Sequence, residues 1–235
     1  MHAYGFSTGA LALGDFERGL DLLAGQGATA VELSALRDHE LPVLMSRIAD
    51  LDLSAYEYVS VHAPSRFASL AEAECAELLT RCIDLGWPIV LHPDAIQDPA
   101  CWDPFGGLLC LENMDKRKRD GRTASELEPW FDRFPEAGFC LDLGHARQVD
   151  PSLLQIRELV RSFGERLTQI HLSELDVQSQ HWPLSMGSVL SLQRVAAWLE
   201  PVAVILESRV DGSEVGVELR LARLTLDPSA EPSAR

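Results

Sequence analysis

Residues 138–146 read GFCLDLGHA: a glycine, a short apolar run that ends on Asp142, and His145 three residues further on. A glycine in this position is expected where a preceding helix stops. The apolar run is typical of a strand buried in a parallel sheet, and this strand ends on an ionisable side chain. The stretch therefore predicts a parallel strand that delivers chemically reactive groups to one edge of a sheet.

The same arrangement recurs along the whole chain, because short apolar runs alternate with segments of helical period. Such alternation predicts βαβ units and a parallel sheet. Strands are predicted at 3–7, 28–33, 57–62, 88–92, 108–112, 138–142, 167–171 and 202–207. Helices are predicted near 15–25, 40–50, 68–85, 122–134, 151–164, 188–199 and 213–225, with only a turn of helix in 93–107.

Eight strand–helix pairs in 235 residues predict an α/β fold, a single (β/α)₈ TIM barrel with a parallel closed sheet and outer helices. We expect the barrel to occupy residues 1–226 and the segment 227–235 to be a disordered tail.

Composition and charge narrow the class of protein. The formal net charge is −16, which disfavours a protein that grips nucleic acid through its whole surface. No run is apolar enough to cross a membrane, and the N-terminus lacks the features of a secretory signal. Five cysteines form no CxxC pair. A reducing, cytoplasmic location is therefore expected.

Six consecutive predicted strands, the third to the eighth, end on or next to His, Asp or Glu. These residues are His62, His92, Glu112, Asp142 with the nearby His145, His171, and Glu207. The carboxyl ends of barrel strands form a single rim, which is where active sites of this fold lie. Imidazole and carboxylate groups are the ligands that zinc and similar divalent ions take. The sequence therefore predicts a divalent-metal site, and two close ions would need a bridging carboxylate.

Strand alternation predicts that Cys110 and Cys140 point inward, two residues before Glu112 and Asp142. We interpret both cysteines as barrel filling beneath the site, with a ligand or redox role as the alternative. Glu32, inside the second strand, is either a buried hydrogen-bonding group or a rim residue.

The segments VHAP (61–64), VLHP (90–93), LEN (111–113), GFCLDLGHA and IHLSE (170–174) resemble the endonuclease IV pattern. That pattern belongs to the xylose isomerase-like TIM barrel superfamily, which includes AP endonuclease family 2 and many sugar isomerases and epimerases. The endonuclease IV resemblance implies a nine-ligand site for three zinc ions. Eight of the ligands would be His62, His92, Glu112, Asp142, His145, His171, His181 and Glu207. The ninth, an aspartate, is replaced by Ser179, and Asp176 could substitute only if its loop bends.

The epimerase branch of the same superfamily implies a smaller site. It would hold one ion with Glu112, Asp142, His171 and Glu207, while the two glutamates move the proton and His145 contacts the substrate. Epimerases generally lack counterparts of His62 and His92. The number of ions, zinc or manganese, thus stays open between one and three.

The loop after the fifth strand carries five basic residues within seven positions, 116–122. On the metal-bearing rim they suggest a positive field for a small anionic substrate, such as a phosphorylated sugar. A merely solvated loop is the equal alternative. The candidate substrate-binding residues are Lys116, Arg117, Arg147, Arg209 and Trp182. The acidic surface and short loops disfavour duplex DNA, and no membrane partner is expected.

Three functions remain after these arguments. The first is a multinuclear hydrolase in which metal-activated water attacks a phosphoester, with Glu112, Glu207 and His145 as the catalytic candidates. The second is a mononuclear sugar or sugar-phosphate isomerase or epimerase that uses Glu112 and Glu207 as an acid/base pair. The third is a metal-binding barrel without turnover, which an open rim argues against. The sequence leaves the oligomeric state open.

Overall fold

The computed structural model describes residues 1–228, and its centre is a closed barrel of eight parallel strands. The barrel strands are β1 (Ala3–Ser7), β2 (Ala30–Ser34), β3 (Tyr58–His62), β4 (Ile89–Leu91), β5 (Leu109–Glu112), β6 (Gly138–Asp142), β7 (Leu167–Leu172) and β10 (Ala203–Leu206). Each strand pairs with its neighbours along the chain, and β10 closes the barrel against β1. The predicted fold is confirmed, and all eight predicted strands are present.

A small antiparallel hairpin between β7 and β10 was not predicted. Its strands are β8 (Glu174–Leu175) and β9 (His181–Trp182), and they pair Glu174 with Trp182. The hairpin lies directly after the rim end of β7 and carries His181 over the barrel mouth.

Helices surround the barrel. They are α1 (Thr8–Ala12), α2 (Phe16–Leu23), α3 (Leu41–Arg47), α4 (Glu72–Leu79), α5 (Arg81–Leu85), α6 (Ala124–Arg133), α7 (Leu143–Val149), α8 (Leu154–Phe163), α9 (Met186–Leu192) and α10 (Val215–Leu226). Short 3₁₀ helices occupy Asp38–Glu40, Ile48–Asp50, Pro93–Ala95, Pro99–Leu108, Gly164–Arg166 and Ala196–Trp198. Within residues 1–228, none of the helices has the length and apolar character needed to span a bilayer.

Several helix boundaries differ from the prediction. α1 and α7 lie where no helix was predicted, and the helix predicted at 68–85 begins only at Glu72 and breaks at Thr80. The predicted helix at 188–199 is α9 followed by a separate 3₁₀ turn. The predicted tail begins at Asp227, whose carboxylate accepts a hydrogen bond from the Tyr4 hydroxyl at 3.0 Å. The rest of that prediction, residues 229–235, lies outside the described part of the chain.

The apolar core lies mainly between the barrel and the helices, and a smaller cluster fills the barrel interior. Cys110 and Cys140 are both buried and pack with Val90 inside the barrel. This is the inward direction that strand alternation predicted. The barrel interior also holds buried polar side chains, including Glu32, Ser60 and Gln169, and Gln169 lies level with Cys140 in the sheet.

Candidate metal centre

The rim of the barrel brings together the ends of six neighbouring strands, β3 to β7 and β10. His62, Glu112 and Asp142 are the last residues of their strands, while His92 and Glu207 follow theirs by one residue. His171 is the next-to-last residue of β7. Because parallel strands end at the same edge of the sheet, these side chains converge without any long loop.

Glu112 lies at the centre of the cluster. Its Oε2 atom is 3.3 Å from His62 Nε2 and 3.3 Å from His92 Nε2. The side chain of Glu112 is only 1% exposed. Ligand atoms of these three residues lie within 4.8 Å of one another, which makes one candidate ion position, called here the outer position.

The same carboxylate belongs to a second group. Ligand atoms of Glu112, Asp142, His171 and Glu207 also lie within 4.8 Å of one another, and this group is called the inner position. His171 Nδ1 is 3.5 Å from Glu112 Oε2 and 3.6 Å from Glu207 Oε1. Glu112 is thus placed to be shared, as a bridging carboxylate is in a two-metal site.

Asp142 is held by the start of the helix that follows it. One oxygen, Oδ1, accepts a hydrogen bond from the backbone N–H of His145 at 2.6 Å and so caps α7. Gly144 permits the close approach of the segment that follows β7, because a Cβ there would lie 2.5 Å from Leu175 Cδ1 and 2.8 Å from the Ser173 carbonyl oxygen. The other oxygen of Asp142 remains directed into the cluster.

Unpartnered polar atoms test whether the residues fit a metal. Within residues 1–228, four buried side-chain atoms have no hydrogen-bond partner: Glu32 Oε1, His92 Nδ1, Asp142 Oδ2 and His171 Nδ1. Buried polar atoms are rarely left unsatisfied, because the lost hydration is costly. Three of the four belong to the predicted ligand set. The donor chemistry and the unsatisfied atoms together fit divalent ions at this rim.

The pKa values of the cluster are set by the closeness of its ionisable groups to one another. Burial disfavours charge on His62, but its hydrogen bond to Glu112 and nearby negative charge raise its pKa to about 9. Burial likewise opposes charge on His145, and the charges of Asp142 and Glu112 raise its pKa to about 10. Burial raises the pKa of Asp142 to about 7. The cluster therefore holds protons that a bound cation would replace.

His145 and His181 lie at the rim, above the two groups. His145 Nδ1 is 2.9 Å from the carbonyl oxygen of Asn113 and 3.1 Å from Glu112 Oε1. His181 Nδ1 contacts Ser173 Oγ at 2.8 Å and is 3.4 Å from Glu207 Oε2. Within residues 1–228, neither histidine joins a group of three ligand atoms within 4.8 Å. Their ring centroids are 5.6 Å apart.

Ser179, at the position where the resemblance implies a ninth ligand, forms a hydrogen-bonded bridge. Its hydroxyl donates to Asp115 Oδ1 at 2.8 Å and contacts Gln148 Oε1 at 3.0 Å. Asp176, the possible substitute, instead caps the hairpin turn by accepting from the backbone of Gln178 and Gln180. The side-chain oxygens of Ser179 and Asp176 are thus engaged in hydrogen bonds with the basic loop, Gln148 and the hairpin turn.

A pocket of about 440 Å³ opens over the cluster. Of the candidate substrate-binding residues, Arg117 and Arg209 line it, as do Arg66 and Lys118. The remaining candidates lie elsewhere. The Lys116 backbone N–H donates to Gln148, Arg147 donates to Ser188 and Trp182 donates to Asp176. These three residues are not part of the pocket wall.

Arg117 is held in place by a carboxylate. Its Nε and Nη2 atoms donate to the two oxygens of the buried Asp115, at 2.9 and 3.1 Å. Burial opposes ionisation of Asp115, yet the arginine fork and the Ser179 hydroxyl hold the pKa of that carboxyl below its usual range. Asp115 thus ties the basic loop to the hairpin that carries His181.

Comparison with solved structures finds similar barrels with quite different activities. Endonuclease IV from Thermus thermophilus is 23% identical, over 96% of this chain and 99% of that one, with a TM-score of 0.61. D-psicose 3-epimerase from Clostridium cellulolyticum, crystallised with D-tagatose, is 15% identical over 97% and 92%, with a TM-score of 0.56. AP endonuclease, family 2 from Brucella melitensis is 13% identical over 99% and 100%, with a TM-score of 0.58.

Comparison with protein-family models gave no match, and comparison with curated proteins gave none either. At these identities the structural likeness establishes the fold and leaves the activity to be argued from the residues themselves.

Proposed function

We propose that this chain, which has the fold of the xylose isomerase-like TIM barrels, is a metal-dependent phosphoesterase with two divalent ions that acts on a small anionic substrate. One observation carries the proposal. His62 and His92 converge on the same oxygen of Glu112 that also faces His171, so one carboxylate connects two groups of ligands.

Each residue has a distinct part in this arrangement. His62, His92 and Glu112 would hold the outer ion, and Glu112, Asp142, His171 and Glu207 the inner ion. Bound zinc or manganese would supply Lewis acidity to a water nucleophile and to the oxygens of a phosphoester. His145 and His181 face the pocket mouth, where their ring nitrogens can donate hydrogen bonds to substrate oxygens.

Substrate charge is inferred from the pocket wall. Arg66 and Arg209 line the pocket, and neither makes a salt bridge within residues 1–228. Arginine recognises phosphate through paired N–H donors, which suits a phosphorylated small molecule. Duplex DNA is not the proposed substrate, because the net charge of −16 opposes a polyanion. We place the protein in a reducing compartment, the cytoplasm, on the basis of its unpaired cysteine pattern.

A sugar epimerase is the second candidate, favoured by the completeness of the inner position as a one-ion site. In that mechanism Glu112 and Glu207 would exchange a proton with the substrate. The environment of Glu112 is poorly suited to this role. Its side chain is 1% exposed, with Oε1 3.1 Å from His145 Nδ1 and Oε2 3.3 Å from both His62 Nε2 and His92 Nε2. Such a carboxylate is better suited to bridging ions than to accepting a proton.

Activity screening separates the two candidates. We would assay the zinc- and manganese-loaded protein against phosphomonoesters, phosphodiesters and ketoses, with His92→Ala and Glu207→Gln as variants. We expect phosphoester hydrolysis that is lost in both variants. Epimerisation that survives His92→Ala but not Glu207→Gln would reject the proposal in favour of the one-ion site.

A further inference from the structure

A buried carboxylate beneath the metal centre is left unused by the proposed function. Glu32 lies in the middle of β2, and its side chain is 0% exposed. It is not one of the predicted ligands. Placing a carboxylate in the interior of a barrel is costly unless the charge is compensated, so its surroundings should show what it does.

Three donors surround a single oxygen of Glu32. Its Oε2 atom is 3.0 Å from His171 Nε2, 2.8 Å from Gln169 Nε2 and 3.4 Å from Ser60 Oγ. Gln169 is fixed in turn, because its Oε1 accepts a hydrogen bond from the Tyr58 hydroxyl at 2.6 Å. The amide of Gln169 is therefore oriented with its nitrogen towards Glu32.

This contact decides which nitrogen of His171 is available above it. A hydrogen bond from Nε2–H to Glu32 leaves Nδ1 without a proton, and Nδ1 is the buried atom that faces Glu112 and Glu207. A carboxylate that accepts from the far nitrogen of a ligating histidine fixes its tautomer and strengthens it as a donor.

One competing arrangement exists on the same atoms. Gln169 Nε2 also lies 2.8 Å from His171 Nε2 and could donate to it, which would put the imidazole proton on Nδ1. The charged oxygen of Glu32 is the stronger acceptor for either donor. Glu32 Oε2 accepts a hydrogen bond from both Gln169 Nε2 and His171 Nε2. Because the two nitrogens share this acceptor, they lie close to each other.

We propose that Glu32 is a positioning residue for the inner ion. It holds His171 with Nδ1 turned towards Glu112, Asp142 and Glu207, and it adds a negative charge beneath the inner position only. The outer position gains no such charge, since His62 Nδ1 contacts a neutral backbone carbonyl, that of Ala63, at 2.7 Å, and His92 Nδ1 has no hydrogen-bond partner within residues 1–228. Glu32 therefore makes the two positions unequal, and the inner ion binds more tightly. This inference holds for either candidate activity.

Metal titration tests the inference without any assay of turnover. The metal-free protein is titrated with Zn²⁺ against a chromophoric chelator, comparing the wild type with Glu32→Gln. We expect the tighter of two binding steps to weaken by about 10- to 100-fold, the range for loss of such a supporting contact, with the weaker step unchanged. Equal weakening of both steps, or of neither, would overturn the inference.

A matched variant controls for general destabilisation. Glu72 is another buried carboxylate, which accepts hydrogen bonds from Asp98 N and Trp102 Nε1 at 2.8 Å each and lies outside the pocket wall. Glu72→Gln should leave both binding steps at their wild-type strength. If it weakens the tight step as Glu32→Gln does, the effect is one of folding and the inference fails.

A spectroscopic measurement on the unaltered sequence removes any dependence on variants. In ¹⁵N-histidine-labelled, zinc-loaded protein, we expect the His171 ring to carry its proton on Nε2, with Nδ1 shifted by the metal. A proton on Nδ1, or zinc on Nε2, would overturn the assignment.

Discussion

Replacement of His92 by alanine should remove the outer ion while the inner ion stays bound. His92 is one of only three residues at the outer position, where its Nε2 is 3.3 Å from Glu112 Oε2. It takes no part in the inner group. The variant therefore separates two positions that share Glu112.

The loss of affinity for the outer ion in His92→Ala can be worked out from the number of its ligands. Four-ligand zinc sites bind with about 10–16 kcal/mol, which is roughly 2.5–4 kcal/mol for each ligand if divided evenly. Loss of one of the three ligands should thus weaken binding of the outer ion by roughly 60- to 900-fold. The fold should change little. The variant removes a ring whose Nδ1 is buried without a partner in the described chain, and losing that unsatisfied atom offsets part of the lost packing.

Metal content and affinity are measured by mass spectrometry after dialysis against a fixed concentration of free zinc, and by calorimetry. His39→Ala is the matched control, because His39 has a 55% exposed side chain and does not line the pocket. The wild type and His39→Ala should hold two ions and His92→Ala one. A His92→Ala protein that still binds two ions with unchanged affinity would refute the reasoning.

Three further changes test other parts of the structure. Ser179→Ala removes the hydroxyl that bridges to the buried Asp115, so the melting temperature should fall by the equivalent of about 1–3 kcal/mol. The number of bound ions, measured by mass spectrometry, should not change. Loss of an ion would instead make Ser179 part of the metal site. Arg209→Ala should raise KM for a phosphorylated substrate about 10-fold or more at constant kcat, and an unchanged KM would remove Arg209 from the substrate site. Asp38 is buried, which opposes its charge, yet backbone N–H groups that include that of Leu70 lower its pKa from 3.8 to about 2. The ionised Asp38 carboxylate stabilises the fold above pH 3.8, and this stabilisation is lost as the pH falls towards 2. The free energy of unfolding should therefore fall less steeply with decreasing pH in Asp38→Asn than in the wild type.

The sequence predicted the strands and the rim well because both depend on local pattern. An apolar run with an ionisable residue at its end is visible one strand at a time, and the barrel then brings six such ends together. The inward direction of Cys110 and Cys140 followed from alternation alone. These features need no knowledge of distant contacts.

Short helices were missed where strand ends lead directly into them. α1 and α7 have only five and seven residues, and each begins directly after the last residue of a strand. Segments this short do not show a helical period in the sequence. The start of α4 was placed too early for a different reason: the backbone N–H groups of residues 68–70 donate to Asp38, some 30 residues away, instead of facing an incipient helix.

Two features of the metal centre also depend on contacts that no local pattern contains. Glu32 could be recognised as buried, but its partner His171 is 139 residues away in the chain. Ser179 was noted as a missing ligand, while its bridge to Asp115 forms only because the hairpin folds back over the basic loop. Sequence supplies the candidate side chains here, and only the fold supplies their partners.

Anomalous diffraction from crystals of the natively loaded protein tests the two-ion centre most directly. We expect two peaks roughly 3.5–4 Å apart, the spacing of two-metal enzymes, with Glu112 between them and His62 and His92 on the outer ion. A single peak held by Glu112, Asp142, His171 and Glu207, with His62 and His92 bound to no ion, would contradict the two-ion centre.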